Sequence, residues 1–351
     1  MEDPMSVKEQ LFGANRDWLS HTTSSTTRIT EEKVLVLDDG TGVQMQDAGL
    51  LYLTPPEGRP NPNSESVIVS AGIHGNETAP IEVLNALVDE LLEGHWQLAC
   101  PVLLILGNPL AIDLGKRFMH VNLNRLFSGA HRKPEYANLA EADRALILET
   151  ACKGFAERHH DNLSHYLSHY DLHTAIRPSL REKFALYPFI EGRDVLESQV
   201  NFLLEADVDT LVLQHKEGTT FASFTSTALN AESFTVELGQ ARPFGQNDLS
   251  KFAGISNALR RRFKGDKPPQ PDPSSSPTVF EVVHEIVNSG DDFQFHVPDD
   301  VANFTAYDPG TVIWEDSATH YAVGGVPEAI IFPNRQVPVG QRVGLMVRPV
   351  N

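Results

Sequence analysis

The chain has 351 residues, 41% of them hydrophobic, which is enough for two ordinary domains and for a full core without disulfide staples. With 28 Lys+Arg against 47 Asp+Glu, a formal charge of −19, the averaged surface repels phosphate backbones and anionic membranes, so no nucleic-acid partner is expected. Cys100 and Cys152 have no CxxC spacing, which excludes a disulfide framework and a thiolate zinc site and suits a reducing cytoplasm.

The opening segment to about Ser20 reads as a short polar helix, and ITEEKVLVLDDGTG and GLLYLTPP run apolar between Gly and Pro punctuation as strands do. MEDPMSVKEQLFG has no basic stretch leading into an apolar one, and the apolar run Val102 to Leu106 is far short of the roughly 20 residues of a spanning helix. Neither an export signal nor a membrane segment is expected. Ser66 to Ser70 is a continuous apolar strand, Ile81 to Glu93 carries apolar residues at helical spacing with a Gly at its exit, and PVLLILGNP is a second buried strand. Such a βαβ unit implies parallel strands in a sheet covered on both faces, and hence an α/β class.

Asn138 to about Tyr170 reads as helical with a break near Gly154, feeding the strand SHYDLHTA. KFALYPFI, TLVLQHK and SFTVELG are further strands, and Asp194 to Ala206 is the clearest of the helical stretches between them. Asn247 to Lys264 is amphipathic, and its basic end, RRRFKG, reads as a solvated helix terminus. Residues 265–279, GDKPPQPDPSSSPTV, are dense in Pro and Ser and predict an extended linker, dividing an α/β domain over 1–264 from a β-rich one over 280–351. In the latter, VFEVVHEIV, DDFQFHV, GTVIWED, EAIIFPN and RVGLMVRP have the spacing of a small barrel or sandwich.

Chemistry-bearing residues gather at strand ends. His74 and Glu77 in HGNE follow the SVIVS strand, at the carboxyl edge where open α/β sheets place their sites. A spacing of three lets one imidazole and one carboxylate hold a single ion, although a turn histidine and a helix N-terminal carboxylate would read the same. His173, at the end of HYDLHTA, would complete a His-Glu-His set with one open position, the arrangement of a catalytic zinc, and Asp171 on the same strand face would support it. Glu237 in SFTVELGQ is either a general base near the metal or an edge-strand carboxylate facing water. Lys116, Arg117 and Arg125, with Asn122 and Asn124, concentrate cations and amides in an otherwise acidic chain, as a site for an acidic small molecule needs.

With these residues assembled, the sequence resembles the zinc carboxypeptidase superfamily and, within it, the aspartoacylase/succinylglutamate desuccinylase branch. The resemblance is carried by SAGIHGNETAPIEVL, GNPLAIDLGKRFMHVNLNRLF, DLHTAIRPS and VELGQARPFGQNDL in family order, with EAIIFPN and VGQRVGLMV beyond the linker. It implies a mixed sheet flanked by helices, with a smaller C-terminal β-rich domain over the mouth of the site. It makes His74, Glu77 and His173 the ligands of one Zn²⁺ and Glu237 the general base and acid. Arg117 would polarise the scissile carbonyl, Asn124 and Arg125 would contact a substrate carboxylate or the acyl end, and Arg177 and Arg181 would be further cations. Tyr321 aligns loosely with a lid contact. The chain departs from the family at Asn122, where related acylases carry Asp.

The implied substrate is a small acidic N-acyl amino acid. The implied reaction is hydrolysis of the amide of N-succinylglutamate to succinate and glutamate, the last step of the succinyltransferase route of arginine catabolism. The alternatives are a sister acylase acting on N-acetylaspartate or another acyl amino acid, a carboxypeptidase, which the appended β domain argues against, and a zinc-binding relative without catalysis.

Overall fold

Ser6 starts the first described helix by a reciprocal cap. Its hydroxyl accepts from the Glu9 N–H at 3.2 Å while the Glu9 carboxylate takes the Ser6 N–H at 3.0 Å. The structure, a computed structural model, describes residues 5–15, 17–24, 32–159, 166–270 and 275–350. The opening helix is two pieces, α1 (Val7–Phe12) and α2 (Trp18–Ser24), divided after Gly13, whose φ of +62° ends α1. The strands β1 (Lys33–Val36), β2 (Gly42–Asp47) and β3 (Leu50–Thr54) then run antiparallel; residues 29–31 of the expected first strand lie outside the described residues.

The βαβ unit consists of β4 (Glu65–Ala71), α3 (Thr78–Leu92) and β5 (Val102–Leu106), with β4 and β5 parallel neighbours. Both strands are buried throughout, and their alternate residues divide between two cores. Val67, Val69, Val102 and Leu104 pack with Leu84, Leu87 and Val88 of α3, while Ile68, Leu103 and Ile105 face the opposite layer. Each fully buried Val, Leu or Ile contributes about 1.5–3 kcal/mol, so a one-residue slip of either strand would exchange two packed faces at once.

The next elements are α4 (Pro109–Asp113), α5 (Ala140–His159), β6 (Tyr166–Ala175), β7 (Phe184–Tyr187), α6 (Glu197–Glu205), β8 (Thr210–Leu213), α7 (Phe221–Leu229), β9 (Glu232–Gln240) and α8 (Ala253–Lys264). The expected break near Gly154 does not occur: α5 runs through it. Leu148, Cys152, Phe155 and Ala156 bury one face of α5, and that burial outweighs the roughly 1 kcal/mol cost of a helical glycine. Residues 160–165 of the helical span expected there lie outside the described residues.

Beyond the linker, of which 271–274 lie outside the described residues, come β10 (Thr278–Val287), β11 (Gln294–Phe295), β12 (Thr305–Tyr307), β13 (Val312–Glu315), β14 (His320–Ala322), β15 (Glu328–Ile331) and β16 (Arg342–Pro349). Among the described residues the main sheet has 13 strands in the order β1-β2-β3-β5-β4-β6-β9-β7-β8-β10-β16-β15-β12, and β11-β13-β14 form a small second sheet. The fold is therefore a large mixed sheet flanked by helices, with a smaller C-terminal β-rich part. That part is joined to the main sheet rather than set apart from it: β10 adds in parallel to β8, and Phe184, Leu186 and Val212 share one core cluster with Phe280, Phe304, Ile331 and Val347.

Candidate metal centre and active site

The parallel strands β4, β6 and β9 are adjacent in the sheet, so the chain segments at their carboxyl ends meet. After β4 the chain turns at Gly72, with φ +69°, and passes so close to α4 that a Cβ on Gly75 would lie 2.2 Å from the Ala111 carbonyl carbon. Only glycine fits at 75, and this close passage sets the HGNE turn. Glu77 then occupies the N-cap position of α3 without capping it, its charge favoured there by the helix dipole.

Glu77 is the hub of the site. One oxygen lies 2.8 Å from His74 Nδ1 and 2.7 Å from Arg117 Nη1; the other lies 2.8 Å from His173 Nδ1 and accepts the Thr174 N–H at 3.1 Å. The two imidazole rings are 5.1 Å apart, and one ligating atom from each of His74, Glu77 and His173 lies within 4.8 Å of the others, with all three side chains buried. The far nitrogens are also engaged. His173 Nε2 lies 2.9 Å from Asp171 Oδ2, and His74 Nε2 lies 3.0 Å from Asn122 Oδ1, which also accepts the Asn124 N–H. An imidazole that donates from Nε2 turns the lone pair of Nδ1 toward Glu77, as a ligand must. The residues present thus fit a divalent metal: two imidazoles and one carboxylate, each held from behind.

Glu237 lies opposite His173 in the β6/β9 register. β9 is a central strand between β6 and β7, so the edge-strand reading of this carboxylate does not hold. Glu237 is only 7% exposed, and its Oε2 is buried with no partner among the described residues. Burial, then the charges of Glu77 and Asp171, push its carboxyl up to about 7. Burial acts the same way on Glu77, but His74 and His173 outweigh it and hold that carboxyl well below its ordinary value. Two neighbouring carboxylates driven apart in this way divide the work: one stays charged and the other is able to exchange a proton near neutrality.

The other expected site residues fall into two groups. Asn124 and Arg125 stand in the short 3-10 turn behind Asn122; Asn124 Oδ1 accepts the Phe221 N–H at 2.8 Å, and Arg125 Nη1 donates to the Asn124 carbonyl at 2.8 Å. Arg177, by contrast, donates to the Asp299 carbonyl in the C-terminal part, and Arg181 lies over Phe280 and donates to Thr210 and Thr278. Neither contacts the histidines, Glu77 or Glu237. Tyr321 donates to Glu328 at 2.6 Å and stacks on His284. Sequence reasoning missed the contact of Asn122 with His74, because spacing along the chain does not show which way a turn residue faces. It also missed a buried chain behind Asp171, in which Ser70 Oγ donates to Asp171 at 2.6 Å and lies 2.9 Å from His169 Nε2. The one available signal was a serine, Ser70, following the apolar run Val67–Val69 of β4.

Comparison with known proteins gives the same picture from a separate direction. Residues 63–262 match the family described as Succinylglutamate desuccinylase/Aspartoacylase catalytic domain, and residues 275–350 match the AstE/AspA barrel-sandwich hybrid domain. The chain is 39% identical over 337 residues to the succinylglutamate desuccinylase of Shewanella frigidimarina, covering 95% of this chain and 96% of the relative. To that of Pseudomonas paraeruginosa it is 42% identical over 322 residues, covering 91% and 94%. Among solved structures, the succinylglutamate desuccinylase of Chromobacterium violaceum aligns with a TM-score of 0.78 at 35% identity, covering 95% of this chain and 98% of the other. That of Vibrio parahaemolyticus aligns at 0.86 and 29%, covering 95% of each chain.

Proposed function

Because the chain belongs to the succinylglutamate desuccinylase/aspartoacylase family, we propose that it is a metal-dependent amidohydrolase that cleaves N-succinyl-L-glutamate to succinate and L-glutamate. The observation that carries this reading is the buried Glu237 oxygen, without a partner among the described residues, beside a Glu77 carboxylate held between two imidazole Nδ1 atoms. His74, Glu77 and His173 would hold one zinc ion. When bound, zinc acts as a Lewis acid and brings the pKa of a water toward neutrality.

Glu237 takes the proton from the attacking water and returns it to the leaving glutamate nitrogen, a double duty suited to a carboxyl raised to about 7. The Arg117 guanidinium makes one hydrogen bond among the described residues, from Nη1 to Glu77. Its remaining donors serve the oxyanion that develops at the scissile carbonyl. Asn124 and Arg125 anchor a substrate carboxylate, with the Asn124 oxygen fixed by Phe221 and its amide nitrogen left to donate. No helix among the described residues is long and apolar enough to cross a membrane, and two buried, unpaired cysteines support a cytoplasmic location.

The test is release of glutamate from N-succinylglutamate beside release of aspartate from N-acetylaspartate, before and after chelation and with zinc restored. Chelator-sensitive turnover of the succinyl substrate is expected. Turnover of N-acetylaspartate alone would transfer the chain to the sister acylase activity, and silence on both with metal bound would leave it a non-catalytic relative.

A further inference from the structure

His169, Asp171 and His173 alternate along β6 and so share one face of the sheet. On that face lie Ser70, the register partner of Asp171 on β4, and Ser233, the register partner of His169 on β9. Thr225 of α7 covers them. All these side chains are buried, and their contacts form an unbroken line. Ser233 Oγ lies 2.8 Å from Thr225 Oγ1, which lies 2.7 Å from His169 Nδ1. His169 Nε2 lies 2.9 Å from Ser70 Oγ, Ser70 Oγ lies 2.6 Å from Asp171 Oδ1, and Asp171 Oδ2 lies 2.9 Å from His173 Nε2.

The carboxylate at the end of this line sets the direction of each proton in it. A carboxylate only accepts, so Ser70 gives its one hydroxyl proton to Asp171 and has only lone pairs to offer His169. His169 Nε2 must then carry a hydrogen. Burial holds His169 down to about 4, so near neutrality the ring has a single proton, and Nδ1 is left to accept from Thr225, which in turn accepts from Ser233. The edge of Phe221, its ring centroid 4.7 Å away and its plane tilted by 72°, holds the imidazole in this orientation. Hydrogen bonds in series thus end on Oδ1 of Asp171, while His173 occupies Oδ2.

Such a row gains little stability over apolar side chains of the same shape. What it supplies is orientation. A carboxylate fixed at one oxygen keeps the other turned to His173, and His173 bonded at Nε2 keeps Nδ1 turned to Glu77. We propose that His169 and Ser70 are positioning residues for the metal centre: they hold Asp171, and through it His173, with the Nδ1 lone pair aimed at the ion. The inference rests on the reading of His74, Glu77 and His173 as metal ligands. It carries the support of that centre past Asp171, across β4 and β6 to α7. A neutral imidazole suits position 169 because it donates at one nitrogen and accepts at the other.

The experiment measures zinc affinity by chelator competition for wild type, Ser70→Ala, His169→Phe and His169→Gln, beside urea unfolding of the metal-free proteins. Phenylalanine keeps a ring and removes the donor, whereas glutamine keeps an amide N–H for Ser70. Ser70→Ala and His169→Phe are expected to weaken zinc binding by about tenfold or more, and His169→Gln to recover part of the loss. In an Asp171→Asn background the Ser70→Ala penalty should shrink, because the effect runs through the carboxylate. Nitrogen NMR of isotope-labelled histidines in the zinc-loaded wild type should show His169 protonated at Nε2. Zinc affinities equal to wild type with only stability lowered, an undiminished Ser70→Ala penalty in the Asp171→Asn background, or a His169 protonated at Nδ1 overturns the proposal. Should His169→Phe fail to fold, Ser70→Ala, which removes a single oxygen, carries the comparison.

Zinc affinity is read without substrate, which separates this inference from the proposed reaction. A chain that binds zinc, loses affinity in the variants and does not turn over N-succinylglutamate keeps the inference and loses the reaction. Full turnover by wild type with unchanged zinc affinity in the variants does the reverse, and a wild type that binds no zinc overturns both.

Discussion

Replacing Glu237 by Gln separates a catalytic carboxylate from a structural one, because the two roles predict opposite changes in stability. Glutamine keeps the volume and one acceptor of the side chain but takes up no proton, so kcat should fall by about a hundred- to ten-thousandfold while the metal stays bound. For the chelated protein the structure sets a second expectation. The Glu237 carboxyl is raised from 4.5 to about 7, and a carboxyl with a folded pKa above its unfolded one removes stability as pH rises. The cost is absent below 4.5, grows between the two values and is complete above about 7.

With those values, ionised Glu237 costs about 1 kcal/mol at pH 5 and about 3 kcal/mol at pH 8. Metal-free Glu237→Gln should therefore be more stable than metal-free wild type, by a margin of that size at pH 8 that shrinks toward pH 5. Urea unfolding of both chelated proteins at the two pH values measures it, read beside kcat and zinc content of the loaded forms. A variant less stable than wild type at pH 8, or one that has lost its metal, would falsify the assignment of Glu237 as a base held at a cost in stability.

The remaining expectations concern the same site and one ion pair beyond it. His173→Ala should lose zinc, since it removes one of the two Nδ1 atoms that face Glu77; one zinc per chain after dialysis would exclude it as a ligand. Arg117→Ala should lower kcat by about a hundredfold or more with metal content unchanged, through lost oxyanion stabilisation, and an unaltered kcat would take Arg117 out of the mechanism. Arg262→Met should destabilise the fold by about 3–5 kcal/mol, because it leaves buried Glu65, bonded by the Arg262 Nε at 2.8 Å, without its partner. Adding Glu65→Gln should restore part of that loss, and a denaturant midpoint insensitive to the single change would show that the pair contributes nothing.

Much of this protein was determined by local pattern. Apolar runs of strand length, the helical spacing from Ile81 onward and the three-residue spacing of His74 and Glu77 each depend on residues close in sequence. They establish the α/β class and bring ligand-type side chains to strand ends. The order of strands does not follow from such patterns, because alternation shows which face a residue occupies and not which strand lies beside it. Only the tertiary structure decided that β6 lies between β4 and β9, which sets His173 against Glu237, and that β9 is central, which buries that carboxylate.

The same limit explains the differences. Gly154 reads as a helix breaker on propensity alone, yet the packed face of α5 overrides it. The Pro- and Ser-rich linker suggests separate units, whereas β10 completes the edge that β8 leaves open. Arg177 lies four residues after His173 and turns away to Asp299, while Arg117, forty residues after Glu77, is brought back to bond it. Charge and chemistry are properties of a residue and are legible in its code. Which charges end up facing one another is decided by long-range packing.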